Sequence, residues 1–189
     1  MGALLLIGCG GLVVLAVVLG IYVIGVYNTL ARGRVGVQGA WADIDVQLKR
    51  RHDLIPNLVE TVKGYAKHER DTLEAVIAAR ARAVSAGSID EKVAAEGGLT
   101  QALGRLMAVA EAYPDLKANT NFLQLQGELA STENIIAGAR GGYNGAAGGY
   151  NQTLVVFPTN IIANIFGFKT MPFFEIENAA ERNAPQVKF

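Results

Sequence analysis

Between Phe122 and Tyr150 the chain reads FLQLQGELASTENIIAGARGGYNGAAGGY. Its apolar and small residues recur with alternating gaps of three and four residues, without a break: Phe122, Leu125, Leu129, Thr132, Ile136, Ala139, Tyr143, Ala146 and Tyr150. A 3.5-residue repeat sustained over this length is typical of a helix in a bundle or coiled coil. The pattern therefore predicts one long helix with a continuous buried face.

The rest of the chain shows the same helical spacing, and its breaks divide it into elements. Pro56 must begin a helix or kink one, because proline lacks an amide donor and crowds the preceding turn. Ser88 and Glu91 fit a capping box, and Asp115 after Pro114 fits an N-cap. The predicted helices cover 27–53, 55–85, 89–112 and 115–155.

Short connections between long helices favour antiparallel neighbours. The predicted fold class is therefore all-α, with three parts along the chain. A transmembrane anchor covers 1–27, an antiparallel four-helix bundle covers 28–157, and an aromatic C-terminal tail covers 158–189.

Composition and charge exclude several classes of protein. The 189 residues carry 17 basic and 17 acidic side chains, so the formal net charge is zero, and nothing favours nucleic acid as a main partner. A single cysteine excludes an intrachain disulfide framework and a cysteine-rich zinc site. No charged residue precedes Arg32, which indicates a membrane anchor followed by a soluble domain.

The anchor is the charge-free run of residues 3–26. As a helix it is roughly 36 Å long, enough to cross a hydrocarbon core of about 30 Å. Cys9 ends a motif similar to a bacterial lipobox, but few residues precede it and none is basic, so a spanning helix is favoured. Arg32 and Arg34 follow the anchor and are candidate membrane-surface residues. By the positive-inside rule they predict a single-pass protein of the bacterial inner membrane with a cytoplasmic domain.

Four blocks of the sequence resemble the LemA family: Trp41–Glu69, Ala112–Asn119, Asn121–Gln126 and Glu128–Asn134. The resemblance extends over essentially the whole chain. It implies a bacterial membrane protein with an antiparallel helical-bundle domain, in agreement with the spacing. It implies no reaction, since the family as a whole has no established one. Some members are associated with magnetosome membranes and others with membrane proteases.

No motif for catalysis or metal binding is complete. His68 and Glu69 begin a zinc-protease motif, but Thr72 replaces its second histidine. His52 and Asp53 are adjacent in a helix and do not face each other, which argues against an acid–base pair. The basic cluster Lys49–His52 could contact anionic headgroups, but an upright helix places it tens of ångströms from the bilayer, so it is interpreted as a solvated helix end. We therefore predict no catalytic, cofactor-binding or metal residues, no small-molecule substrate and no enzymatic activity.

A strip of glycines accompanies the long helix. Gly138, Gly142, Gly145 and Gly149 each precede a residue of the apolar repeat, so they form a second seam about 100° around the helix. An interior glycine costs a helix about 1 kcal/mol relative to alanine. We predict that this strip, with Tyr143 and Tyr150, is a helix contact between subunits. Packing within one chain and compositional drift are the alternatives.

The predicted tail and the residue before it are rich in phenylalanine, with six of the chain's seven between 157 and 189. Its candidate contact residues are Phe166, Phe168, Phe173 and Phe174. Prolines divide this segment into pieces too short for a bundle helix, and an uncovered aromatic tail would leave an apolar patch in water. Packing on its own bundle is favoured over docking on a neighbouring subunit or entering the membrane interface.

These features together predict a self-assembling, homo-oligomeric scaffold that organises or remodels the membrane. Its partners are the lipid bilayer and other copies of the chain. The alternative is an adaptor that presents clients to a membrane protease or another membrane partner. Its binding face would contain Gln124, Gln126, Glu128, Glu133 and Asn134.

Overall fold

The structure, a computed structural model, describes the backbone of residues 2–174 and the side chains from residue 9 onward. It contains helices α1 (Gly2–Tyr65), α2 (Arg70–Ser85), α3 (Ile89–Glu111), α4 (Pro114–Lys117), α5 (Thr120–Val155) and α6 (Thr159–Ile165). There is no strand within residues 2–174. The predicted all-α class, with a long apolar helix at the N-terminal end, is confirmed.

Helix α1 passes through Pro56 and continues to Tyr65 as one helix of 64 residues. The predicted helices 27–53 and 55–85 are therefore wrong in their bounds, and the chain turns at 66–69 instead. A proline inside a helix costs about 3 kcal/mol. Pro56 itself is exposed, while its neighbours Ile55, Leu58 and Val59 are buried. Burial of these side chains on both sides offsets the lost hydrogen bond.

The cap predicted for α3 is confirmed, and the cap predicted for the last long helix is wrong. The Glu91 amide donates to Ser88 Oγ at 3.2 Å, and the Ser88 amide donates to Glu91 Oε2 at 3.1 Å. Asp115 lies inside the four-residue helix α4, where it cannot cap α5. Asn119 caps α5 instead, because its Oδ1 accepts from the Phe122 amide at 3.0 Å.

The described residues form two compact units, and each is described by itself. Unit 1 contains residues 2–41 and 143–171, and unit 2 contains 42–142 and 172–174. Long helices α1 and α5 contribute to both units. The predicted domain bounds at 27/28 and 157/158 stay a prediction.

Unit 2 is built around one hydrophobic core to which five helices contribute. The buried residues are Ile55, Leu58, Val59 and Val62 of α1; Leu73, Val76, Ala79 and Ala83 of α2; Leu99, Ala102, Leu106 and Ala110 of α3; Leu116 of α4; and Phe122 and Leu129 of α5. The apolar spacing in each helix therefore identifies the face that packs inward.

Helix α5 runs without interruption through its glycine-rich part, from Thr120 to Val155. Six residues of its 3.5-residue repeat are buried and the other three are partly buried. In unit 1 the repeat packs Tyr143 edge-on against Trp41, with ring centroids 5.5 Å apart. Leu30 and Val37 of α1 are buried in the same unit.

Candidate functional site

The four glycines of the predicted strip lie at the surface of α5. Gly138, Gly142, Gly145 and Gly149 are all exposed. A Cβ atom built on any of them meets nothing within 4 Å. Close packing against the described residues therefore does not account for these glycines.

In unit 1, Gly145 and Gly149 line a groove of about 370 Å³ together with Gly33 and Gly36 of α1. Only Gly33 is tightly packed, because its Cβ would lie 3.1 Å from Cδ2 of Tyr150. A Cβ on Gly36 meets nothing within 4 Å. The groove is thus a smooth surface between two helices that begins a few residues beyond the apolar segment of α1.

The two tyrosines predicted to share this contact are buried inside unit 1. Tyr143 packs on Trp41, and Tyr150 packs over Gly33. Asn151, next to Tyr150, holds the later chain through two hydrogen bonds with the Met171 backbone, each 2.8 Å long. Both tyrosines therefore contact helices of their own chain, and of the residues predicted for this helix contact only the glycines are exposed.

Some residues of the predicted tail pack on their own chain, and others are exposed. In unit 1, Tyr27 makes edge-on ring contacts with Phe166 at 5.0 Å and with Phe168 at 5.5 Å. In unit 2, Phe174 is buried beneath Arg140, whose guanidinium carbon lies 4.4 Å from the ring centroid. Phe173 is exposed. The tail residues 175–189 lie outside the described residues.

The N-terminal part of α1 is apolar and exposed. From Leu12 to Tyr27 most large side chains are more than half exposed. In the described part of the chain, one helix is long and apolar enough to cross a membrane, and it is α1. Arg32 and Arg34, the candidate membrane-surface residues, are exposed on the same helix.

Unit 2 contains a buried charge cluster where the sequence predicted a solvated helix end. Arg51 of α1 is only 2% exposed and Glu96 of α3 only 1%. The Arg51 guanidinium forms ion pairs with Glu96 and with Glu133 of α5. It also donates a hydrogen bond of 3.3 Å to Thr100 Oγ1. Arg51 therefore links three helices through its charge.

His52 belongs to the same cluster. Its Nε2 lies 2.6 Å from Glu96 Oε1, and its backbone carbonyl accepts a 2.7 Å hydrogen bond from Arg80 Nε. The interpretation of Arg51 and His52 as solvated residues is wrong, because α1 does not end near them and α3 packs over them. The sequence did contain a signal. Arg51 continues the spacing of buried Ile44, Leu48 and Ile55, which places a charge at a core position.

The pKa of the Glu96 carboxyl reflects these neighbours. Burial alone raises its pKa, but the hydrogen bond with His52 and the positive charge of Arg51 lower it by more. The net result is a pKa below the ordinary value for glutamate. Glu96 is therefore ionised at neutral pH, as its ion pair with Arg51 requires.

The charged side chains of this cluster pair with one another and hold the helices of unit 2 together. His52 and Glu96 line a pocket of about 290 Å³ whose wall includes Lys49 and Arg80. The charges pair with each other: Lys49 forms a 2.8 Å ion pair with Asp53, and Glu96 binds Arg51. Within the part of the chain that the structure describes, no three His, Cys, Asp or Glu side chains lie together so that they could hold a metal ion.

Comparison with known proteins gives a family and several relatives. The profile of the LemA family matches residues 40–189. Magnetosome proteins MamQ 1 and MamQ 2 of Paramagnetospirillum magneticum are each 29% identical to the chain over 181 residues, covering 82% of this chain and 66% of theirs. The chain thus spans slightly under two thirds of these relatives. Protein LemA of Metamycoplasma hominis is 27% identical over 154 residues, covering 80% of this chain and 70% of that protein.

The apolar, exposed helix and the relatives together indicate a membrane-associated helical protein. The sequence blocks in α1, α4 and α5 that resembled a known family lie inside the matched region. Since the profile covers most of the chain, this protein belongs to the LemA family.

Proposed function

We propose that this protein is a single-pass, non-enzymatic scaffold of the bacterial inner membrane that assembles with copies of itself and organises or remodels the bilayer. Residues 3–26 anchor it, and Arg32 and Arg34 place the following residues on the cytoplasmic side. Lipid and other copies of the chain are its partners. It needs no cofactor.

The anchoring part of the proposal is supported by the surface of α1. Leu12, Val13 and Ile21 are each more than 60% exposed, and no charged residue precedes Arg32. Large apolar side chains in such a continuous exposed run are costly in water and favourable in lipid. Two of the relatives carry the name magnetosome protein, which supports a role at a membrane for this chain as well.

The assembly part rests on one observation, the groove of unit 1 lined by glycines that nothing in the described chain fills. Gly36, Gly145 and Gly149 each lower the intrinsic stability of their helix by about 1 kcal/mol relative to alanine. None gains a close contact in return. A second copy whose helix packs into the groove supplies that contact, since small residues let helix backbones approach closely.

The test is the mass of the particle after gentle detergent extraction, measured by mass photometry and checked by negative-stain imaging. We expect a uniform particle of many subunits for the natural chain. The double variant Gly145→Leu and Gly149→Leu fills the groove and should yield a much smaller particle. Gly97→Leu is the matched control, because Gly97 is also an exposed helical glycine with open space around it.

Two outcomes contradict assembly through this groove. A natural chain that is monomeric or dimeric excludes the scaffold. A double variant with the same particle mass as the Gly97→Leu control places the subunit contact elsewhere.

The second candidate function is the adaptor, and one feature of unit 2 favours it. An open apolar groove of about 320 Å³ lies between α3 and α5, beside Leu103, Met107 and Ala130. Methionine adapts to partners of different shape. Gln126 and Glu133 of the predicted binding face border this groove. An adaptor stays small until its client or protease is added, so the same mass measurement separates the two functions.

A further inference from the structure

Large apolar side chains at the end of α5, on one face of α6 and in the residues that flank α6 are exposed at the outside of unit 1. We call this set the C-terminal apolar surface: Val155, Val156, Phe157, Ile161, Ile165 and Phe166. Their side chains are between 50% and 75% exposed. Ile162 and Ala163 on another face of α6 are buried, so α6 is held against its own unit while its outer face is left apolar.

This surface lies beside the last turns of the apolar part of α1. Tyr27 is one residue beyond the segment 3–26, and its ring contacts those of Phe166 and Phe168. A shallow hollow is lined by Tyr22 and Val26 of α1, by Thr153 of α5 and by Thr159 of α6. The start and the end of α6 are therefore both level with residues 22–29 of α1.

The charge pattern matches this placement. No Asp, Glu, Lys or Arg lies between Arg140 and Lys169, and none precedes Arg32. The two charge-free segments meet in unit 1 around Tyr27. Charged side chains are expensive inside a bilayer, and neither of these two segments contains one.

We propose that the C-terminal apolar surface lies in the membrane interface, in the leaflet that contains Tyr27, and gives each chain a second contact with lipid. This inference rests on the proposed anchoring of residues 3–26. If that segment crosses the hydrocarbon core, Tyr27 lies at headgroup level, where tyrosine side chains are enriched. Helix α6 then lies at the same depth, with its apolar face towards the acyl chains as in other interfacial helices.

Lipid fits this surface better than a second copy of the chain. The surface is continuous with the exposed apolar face of α1, where Leu19 and Tyr22 also point outward. The lipid that surrounds α1 near Leu19 and Tyr22 therefore also covers the exposed face of α6. The glycine groove, by contrast, has the smooth shape that a helix of another copy requires.

Spin labels at single cysteines test the proposal in the full-length chain. The chain has one cysteine, Cys9, so Cys9→Ala provides a cysteine-free background. Labels are placed by Phe157→Cys and Ile165→Cys in the C-terminal apolar surface, by Val17→Cys in the anchor, and by Val84→Cys in α2. All four positions are at least half exposed, so the substitutions leave the core intact, and circular dichroism confirms the helical content.

The protein is reconstituted into vesicles of phosphatidylcholine and phosphatidylglycerol, and each label's collision rate with oxygen and with a water-soluble nickel chelate is measured. Oxygen concentrates in lipid and the chelate in water. We expect the oxygen-to-nickel ratio at positions 157 and 165 to be several-fold higher than at position 84, and lower than at position 17, which lies deeper in the bilayer.

The outcomes separate this inference from the function on which it rests. A ratio at 157 and 165 equal to that at 84, with position 17 in lipid, overturns the interface contact alone. Low access to both reagents at 157 and 165, with dipolar broadening between labels, means that another copy covers the surface and also overturns it. A water-like ratio at position 17 overturns the anchoring and the interface contact together.

Discussion

The carboxylate of Glu96 and the guanidinium of Arg51 form an ion pair in the interior of unit 2, with only 1% and 2% of the two side chains exposed. The pair joins α3 to α1, and Glu133 of α5, which is 39% exposed, forms a second ion pair with Arg51. Two charges removed from water are stable only when they are paired and hydrogen-bonded. This cluster therefore makes the packing of three helices depend on one arginine.

Replacing one partner of this pair should destabilise the protein strongly. We expect Glu96→Gln to lower the free energy of unfolding by about 3 kcal/mol, because the buried Arg51 loses its buried counter-charge and keeps only Glu133, which is 39% exposed. Urea denaturation in mild detergent, followed by circular dichroism, measures the change. The matched control is Glu60→Gln, which removes an exposed ion pair with Lys63 and should cost less than about 1 kcal/mol. Equal effects for the two variants would contradict the structural role of Glu96.

The lowered pKa of Glu96 predicts how stability changes in acid. Its pKa in the folded chain lies below the unfolded value of about 4.3. The unfolded state then binds more protons between these two values, so stability falls as the pH drops through this window. We expect the natural chain to lose more stability than Glu96→Gln between neutral pH and the folded pKa of Glu96. Parallel pH profiles for the two proteins would show that this carboxyl does not contribute.

Two glycines of the same groove should respond in opposite ways to alanine. Gly36→Ala meets open space, and we expect it to stabilise α1 by about 0.5–1 kcal/mol through helix propensity. Gly33→Ala brings its Cβ to 3.1 Å from the Tyr150 ring, so overpacking removes this gain and costs about 1 kcal/mol or more. Thermal unfolding of both variants, in a detergent that dissociates the protein into single chains, measures the difference. A Gly33→Ala variant as stable as Gly36→Ala would mean that Tyr150 moves aside freely.

The side chain of Asn151 should hold the segment around Met171 in place. Asn151→Ala removes two hydrogen bonds to the Met171 backbone, each contributing about 1 kcal/mol. Lys169 is exposed and lies outside the helices, so trypsin cleavage there reports local opening. We expect cleavage about 30-fold faster, the factor that corresponds to about 2 kcal/mol. Asn134→Ala, at an exposed position of the same helix, is the control and should leave the rate unchanged.

The predictions from the sequence were correct where a feature depends only on residues a few positions apart. The 3.5-residue repeat from Phe122 to Tyr150 identified α5 and its buried face, because helix periodicity fixes which side chains share a face. The capping box at Ser88 was also predicted, since its two hydrogen bonds join residues three apart. The prediction that Asp115 caps α5 was wrong because it used only local sequence, in which an acidic residue after a proline resembles an N-cap. The start of α5 depends on the short helix α4 before it, and the sequence pattern did not predict α4.

The glycine strip and the tail were predicted only in part from the sequence. Spacing placed the four glycines on one face of α5, but it could not say whether another helix of the same chain covers them. Their open surroundings and the tight contact of Gly33 with Tyr150 depend on how α1 and α5 pack in unit 1. The tail was predicted to pack on its own chain, yet its ring contacts with Tyr27 and its exposed face on α6 required coordinates.

The sequence by itself determined the all-helical class, the apolar anchor, the family and the buried face of α5, because these follow from composition and from intervals of a few residues. Only the tertiary structure decided that Arg51 and His52 are interior residues and that α1 continues through Pro56. Both depend on partners far along the chain: Glu96 lies 45 residues from Arg51, and the core around Pro56 is completed by other helices. Burial energy from such distant contacts outweighs the local preference of a charged segment for water and of proline for a helix end.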